Sequence, residues 1–385
     1  MKAALLLLFI QLITVISAAP TKSSSFRKKS KNNSKHPKHS KHSKDSSVVD
    51  VGVVSTDASS LLKIFSVPLS YNTTFAEPVV TIQVGNPPQN FTVLVDTLLT
   101  LEVAKLQVSK FFSASDTVSL GAGLDVSNAT FGIAAGVQPE FLTEFDGILA
   151  LGPIEATQGA LLDGHLVKTV MDVAFETRAI EEEVVGISFS FPKSLDPEDS
   201  QNIGEVTFGG VDSALFCGNL KFTDRSNGSK FWAVDSQQVS LGNASLLTQT
   251  TLVLDTGTTR VLLPESAFQT YAQLSGATVD DNGNLHFTQD QVDQLFDLNF
   301  EIGGSVFSLP GNAQVFPQQL NAAPGFGNSS PDDILGVVGS SGTALESLVI
   351  LGQGFLAQYY SAYDTENNQI GLDLSVNSIN GCPSS

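Results

Sequence analysis

Val93-Leu94-Val95-Asp96-Thr97 and Leu252-Val253-Leu254-Asp255-Thr256 are two copies of one pattern: three apolar residues, an aspartate and a threonine. Continuous apolar runs of this length read as strands buried on both faces. The first is preceded by Val79–Val84, a second strand, and by Gly85-Asn86-Pro87-Pro88, which forces a turn between them. Each copy is followed later by a tight apolar run, Ile148-Leu149-Ala150 in the first half and Val349-Ile350-Leu351-Gly352 in the second. A duplicated strand ending in Asp-Thr predicts two similar lobes, each donating one carboxylate.

Further strands are expected at Val184–Phe191, Gly204–Phe208 and Phe300–Phe307, and helices at Leu161–Phe175 and Pro264–Leu274. The fold class is therefore all-β with a few short helices. A chain of 385 residues, 42% hydrophobic and 15% charged, has apolar material for more than one core.

Charge is unevenly placed. Residues 1–44 hold ten of the 20 Lys and Arg and no acid, so residues 45–385 carry 10 basic against 39 acidic residues, 10 − 39 = −29. Such a body repels phosphate, which argues against nucleic acid as a partner. It suits work at low pH, and equally a plain acidic surface.

Lys2, the apolar run Ala3–Ile16 and Ser17-Ala18-Ala19 read as an export signal over residues 1–18. Residues 19–67 open with a Lys/Ser/His-rich tail or pro-segment that cannot form a core. His36, His39 and His42 recur in it at metal-ligand spacing, but a solvated run explains them better. No later stretch is long enough to span a membrane. Secretion, or delivery to a lysosome- or vacuole-type compartment, is the expected destination. There the two cysteines, Cys217 and Cys382, favour one disulfide over two buried thiols. Sites of the form N-x-S/T stand at Asn32, Asn72, Asn90, Asn128, Asn227, Asn243 and Asn328.

In its ordered motifs the chain resembles the pepsin-like aspartic proteases. Asp255-Thr256-Gly257-Thr258 matches that family's signature, and so in order do residues 85–97, 145–152 (FDGILALG), 204–212 (GEVTFGGVD) and 348–372. The resemblance spans about residues 68–375 and implies a bilobal fold, with a first lobe over 68–212 and a second over 213–385. It implies that Asp96 and Asp255 share a proton and activate a water against a peptide bond. Thr97 and Thr256 would interlock the two loops, Gly257 would offer an amide and Thr258 a hydroxyl. No metal or cofactor is needed. The implied partner is a peptide or protein in the cleft between lobes, and the implied state is a monomer. Asp146, Asp212 and Asp364, which also fall in family motifs, read as turn residues.

The first lobe departs from the pattern. Leu98 and Leu99 replace Gly and Ser/Thr after Asp96-Thr97, and Ala150 replaces a Gly that the second lobe keeps at Gly352. Leu99 has no hydroxyl to steady Asp96. Only 49 residues separate Asp96 from Asp146, too few for the family's flap hairpin, and none of the five tyrosines lies where a flap tyrosine would. The family's Trp after the first aspartate is missing too. Three readings stay open: an acid endopeptidase with an open cleft, a non-catalytic homologue that binds a peptide or protein there, and, ranked last, a merely structural secreted glycoprotein.

Overall fold

The computed structural model describes residues 63–383, except 75, 99–109, 136–144, 159–165, 324–325, 327–328, 331 and 343–347. Residues 19–62 of the expected tail and Leu99 fall outside the described residues, whereas Phe65–Val67 of that stretch already belong to a paired strand, and between Asp96 and Asp146 residues 110–121 and 124–135 form one antiparallel hairpin.

The first half of the chain carries β1 (Phe65–Asn72), β2 (Glu77–Val84), β3 (Gln89–Asp96), β4 (Lys110–Gly121), β5 (Leu124–Ala135), β6 (Gly147–Ala150), α1 (Val170–Glu176), β7 (Val184–Phe189) and β8 (Gly204–Phe208). Strands β9 (Lys221–Asp224), β10 (Ala233–Leu241), β11 (Ala244–Leu254) and β12 (Val261–Leu263) follow, then α2 (Glu265–Ser275), β13 (Thr278–Val279) and β14 (Leu285–Phe287). The rest is α3 (Gln289–Asp293), β15 (Leu298–Ile302), β16 (Ser305–Leu309), β17 (Ile334–Leu335), β18 (Val338–Ser340), β19 (Leu348–Leu351), α4 (Gln353–Leu356), β20 (Tyr359–Asp364) and β21 (Gln369–Leu374).

These strands make a bilobal, mostly β molecule. One sheet runs β5-β4-β2-β1-β8-β7-β20-β21-β9, with β3 held between β2 and β6. A second runs β16-β15-β10-β11-β19-β12-β18, and β13, β14 and β17 form a small third. The first sheet crosses from one half of the chain to the other, because β20 from the C-terminal end pairs with β7. Every residue of β7 and of β20 is buried, as expected for strands covered on both faces. Cys217 and Cys382 are joined, so a single disulfide closes the second half.

Three expected elements differ. Phe300–Phe307 is not one strand but the facing arms of the β15–β16 hairpin, turned at Gly303 and Gly304, both at positive φ. Two adjacent glycines supply the left-handed turn that a two-residue hairpin requires. Of the helix expected over Leu161–Phe175, residues 161–165 lie outside the described residues, residues 166–169 are not helical, and α1 begins at Val170. Thr169 caps it: its hydroxyl accepts from Asp172 N, and the Asp172 carboxylate accepts from Thr169 N. That capping box fixes the start of the helix. Helix α2 starts one residue after the expected Pro264, which caps it from outside.

Candidate active site

Asp96 closes β3, and Asp255 directly follows β11. Both are buried, at 1% and 0% exposure. The two halves build the same local frame. β3 runs parallel to β6 with Asp96 opposite Ala150, and β11 runs parallel to β19 with Leu254 opposite Leu351. The register therefore makes Ala150 the counterpart of Gly352. Leu151 N donates to Asp96 O at 2.7 Å, and Asp255 N donates to Leu351 O at 3.1 Å.

The two loops grip each other through their threonines. Thr97 N donates to Thr256 Oγ1, and Thr256 N donates to Thr97 Oγ1, both at 3.1 Å. Thr97 Oγ1 donates to Leu254 O at 3.1 Å, and Thr256 Oγ1 donates to Val95 O at 2.7 Å. Both threonines are fully buried. This reciprocal set needs a hydroxyl that both donates and accepts, which is why the two copies end in Asp-Thr rather than Asp-Val. A further bond ties the halves close by, from Trp232 Nε1 to Leu151 O at 2.8 Å.

Each aspartate accepts an amide from two residues on: Leu98 N to Asp96 Oδ1 at 2.8 Å, and Gly257 N to Asp255 Oδ1 at 2.9 Å. The leucine at 98 thus keeps the backbone donor that glycine supplies in the other copy. Thr258 Oγ1 adds a bond to Asp255 Oδ2 at 2.5 Å. Its counterpart by sequence is Leu99.

Gly352 shows why the second half keeps a glycine. A Cβ there would lie 2.2 Å from the carbonyl oxygens of Thr258 and of Arg260. Ala150 carries a methyl at the matching point of the first half, so the two halves are not interchangeable behind their aspartates.

Sequence reasoning missed two side chains beside this centre. Glu77, which opens β2, is 3% exposed, and Gln353, which opens α4, is fully buried. Gln353 Nε2 lies within donating distance of Glu77 Oε2, Ala76 O and Thr256 O, and Gln353 Oε1 accepts from Tyr71 OH. Burial drives the Glu77 carboxyl well above the ordinary carboxylate range, and the charges of Asp96 and Asp255 add to this, against the Gln353 bond. Glutamate followed by Pro in a strand carries no sequence signal for such a place.

The remaining expected residues are placed as follows. Asp146 accepts from Thr92 N, Asp212 from Ala214 N, and Asp364 from Asn367 N, each a local or strand-to-loop tie. Asn90, Asn128, Asn227 and Asn243 are exposed, Asn72 is half-buried, and Asn32 and Asn328 lie outside the described residues. Among the described residues no helix is long and apolar enough to cross a membrane.

Residues 105–374 match the family model for eukaryotic aspartyl proteases, a stretch that takes in Asp255 and leaves out Asp96. Polyporopepsin from Irpex lacteus is 34% identical over 325 residues, which cover 76% of this chain and 93% of that one. Pepsin A from Suncus murinus is 26% identical over 332 residues, 76% of this chain and 79% of its own. The crystal structure of the aspartic proteinase from Irpex lacteus superposes with a TM-score of 0.70 at 30% identity, covering 82% of this chain and 99% of that one.

Proposed function

The chain belongs to the eukaryotic aspartyl protease family, and from that premise we propose that it is a secreted endopeptidase that hydrolyses peptide bonds at acid pH through Asp96 and Asp255. The observation that carries this reading is the reciprocal Thr97–Thr256 lock with a matched amide on each aspartate. Two carboxylates held in such a frame cannot both ionise readily, so they hold one proton between them. The ionised partner takes a proton from water, the protonated partner hydrogen-bonds the scissile carbonyl, and the water oxygen attacks the carbonyl carbon. The Gly257 amide and Thr258 hydroxyl steady Asp255 in its charged form, which favours it as the partner that carries the charge.

The organisation follows the same reading, with the first boundary moved back to the start of β1: residues 1–18 direct export, 19–64 form a basic segment ahead of the lobes, and lobes 65–212 and 213–385 flank a cleft that takes an extended peptide. The exposed asparagines 90, 128, 227 and 243 are the carriers for glycans. The protein works as a monomer and without a cofactor.

A second reading, a non-catalytic peptide- or protein-binding homologue, is favoured by one specific observation. The Ala150 methyl sits where the second half leaves room for two carbonyl oxygens, and Leu98 and Leu99 flank the same loop. Digestion of an unstructured protein between pH 2 and 6 separates the two. The endopeptidase reading expects cleavage that Asp255→Asn abolishes; equal products from wild type and variant, or none from either, reject it. Leu98→Gly with Leu99→Ser and Ala150→Gly is expected to raise kcat/KM at least tenfold. An unchanged rate places the obstruction elsewhere in the cleft.

A further inference from the structure

A third carboxyl group is buried beside the interlocked loops, joined to the Thr256 carbonyl through the Gln353 amide. The third belongs to Glu77. It lies at the start of β2, next to β3 in the sheet, and the fields of both Asp96 and Asp255 reach it. The other groups that face it are polar and neutral. Gln353 touches it from α4, at 3.0 Å, and Tyr71 on β1 reaches it through Gln353, the Tyr71 hydroxyl donating to Gln353 Oε1 at 2.5 Å. Among the described residues, the charged groups that bear on it are Asp96 and Asp255. Gln353 is itself spoken for: its amide also lies 2.9 Å from Ala76 O and 3.0 Å from Thr256 O, and its backbone N donates to Thr258 O at 2.7 Å. The amide that meets Glu77 is thus the one that holds the Asp255 loop against the first half of the chain.

A carboxyl in such a place has two states with different consequences. Protonated, it adds no charge beside the aspartates and leaves their single negative charge undisturbed. Ionised, it puts a second negative charge in a buried site. The proton shared by Asp96 and Asp255 is then held more tightly, and it becomes a poorer donor to a scissile carbonyl. Coupled groups of this kind lose their protons as a set, and the macroscopic steps belong to all three.

We propose that Glu77 is a positioning residue of the site, a third carboxyl that stays protonated while Asp96 and Asp255 share one proton, and whose ionisation sets the alkaline limit of activity. This rests on the endopeptidase reading given above for its effect on rate, but not for the state of the carboxyl itself. Burial by the surrounding β1, β2 and α4 residues holds it neutral, and the two aspartates oppose its charge.

The test has two arms. In the first, kcat/KM is followed from pH 2 to 8 for wild type and Glu77→Gln. Glutamine keeps an oxygen for Gln353 Nε2 and removes the proton. The next proton to leave the competent site can leave from Glu77 or from the aspartates, and the variant lacks the first route. The alkaline limb is expected to move up by half a pH unit or more, with the acid limb in place. Coincident limbs overturn the proposal, as does a uniform loss of rate at every pH, which a purely structural role would give. The second arm needs no activity. Glutamate carboxyls labelled with 13C are titrated in the wild type and in Glu183→Gln, since among the described residues Glu183 is, beside Glu77, the glutamate raised furthest. Two resonances that titrate well above the ordinary glutamate range are expected in the wild type and one in the variant. A single late resonance in the wild type overturns the proposal even where Glu77→Gln does not fold. Two late resonances in a protein that cuts nothing would sink the endopeptidase reading alone and leave the neutral Glu77 standing.

Discussion

Behind each aspartate the chain needs a residue that fits between a strand and a turn, and the two halves solve this differently. At 352 a methyl would meet two backbone oxygens that cannot turn away as a flexible side chain would. Gly352→Ala is therefore expected to cost about 1–3 kcal/mol through forced backbone shifts, read as a lower midpoint of chemical unfolding. Ala150→Gly removes a methyl from a strand end and is expected to cost about 1 kcal/mol or less, through chain entropy. Equal effects at the two positions would contradict the asymmetry. At this scale the sequence is eloquent about groups that act through type and repetition. Asp96, Asp255, Thr97 and Thr256 stand out because the pattern occurs twice. Glu77 and Gln353 do not, because a single polar residue at an element's start looks the same whether solvent or a buried amide faces it. Only the packing of β1 and α4 over it makes the difference.

Elements were legible where local chemistry and tertiary burial agree. Gly204–Phe208 is one strand in sequence and in structure, and the apolar runs before both aspartates lie within β3 and β11. The stretch 300–307 misleads because its aromatic ends draw attention from Gly303-Gly304, whose positive φ turns the chain back on itself. Helix α1 misleads in the opposite sense: helical spacing extends upstream, while the Thr169–Asp172 box starts the helix at Val170. The cap is a definite energetic feature. Thr169→Ala removes the acceptor for Asp172 N and is expected to destabilise the protein by about 1 kcal/mol. Thr169→Ser, which keeps the hydroxyl, is expected to lie within a few tenths of wild type. If Ser falls as far as Ala in unfolding midpoint, the loss comes from the methyl and not from the cap.

For the molecule as a whole, an excess of acid is plain from composition, but which carboxyls resist ionisation depends on their neighbours. Burial, then the adjoining Asp172, pushes Glu183 up to about 8. Burial with Asp364, Glu366 and Glu181 raises Glu182, and Glu77 is raised as described. Other carboxyls move down: Glu265 through bonds from Ser340 and Gln269, Asp280 because its Asn284 and His286 bonds outweigh burial, and Glu155 because Arg225 does the same. A raised carboxyl binds more protons folded than unfolded. Its contribution is fully present below the unfolded value of about 4.3 and is lost as pH climbs to the folded value. A lowered carboxyl does the reverse, stabilising above the unfolded value and failing as pH falls beneath it. The two sets leave a stability maximum on the acid side of neutral, at about pH 4–5. The thermal midpoint is expected to fall steadily between pH 5 and 8 and to fall again below about pH 3. Glu183→Gln takes away the carboxyl pushed up to about 8, so its curve should be flatter between pH 5 and 8 and should approach the wild type only at acid pH. A midpoint that climbs from pH 5 to 8, or a Glu183→Gln curve parallel to the wild type throughout, would mean that these carboxyls ionise as freely in the fold as in the open chain.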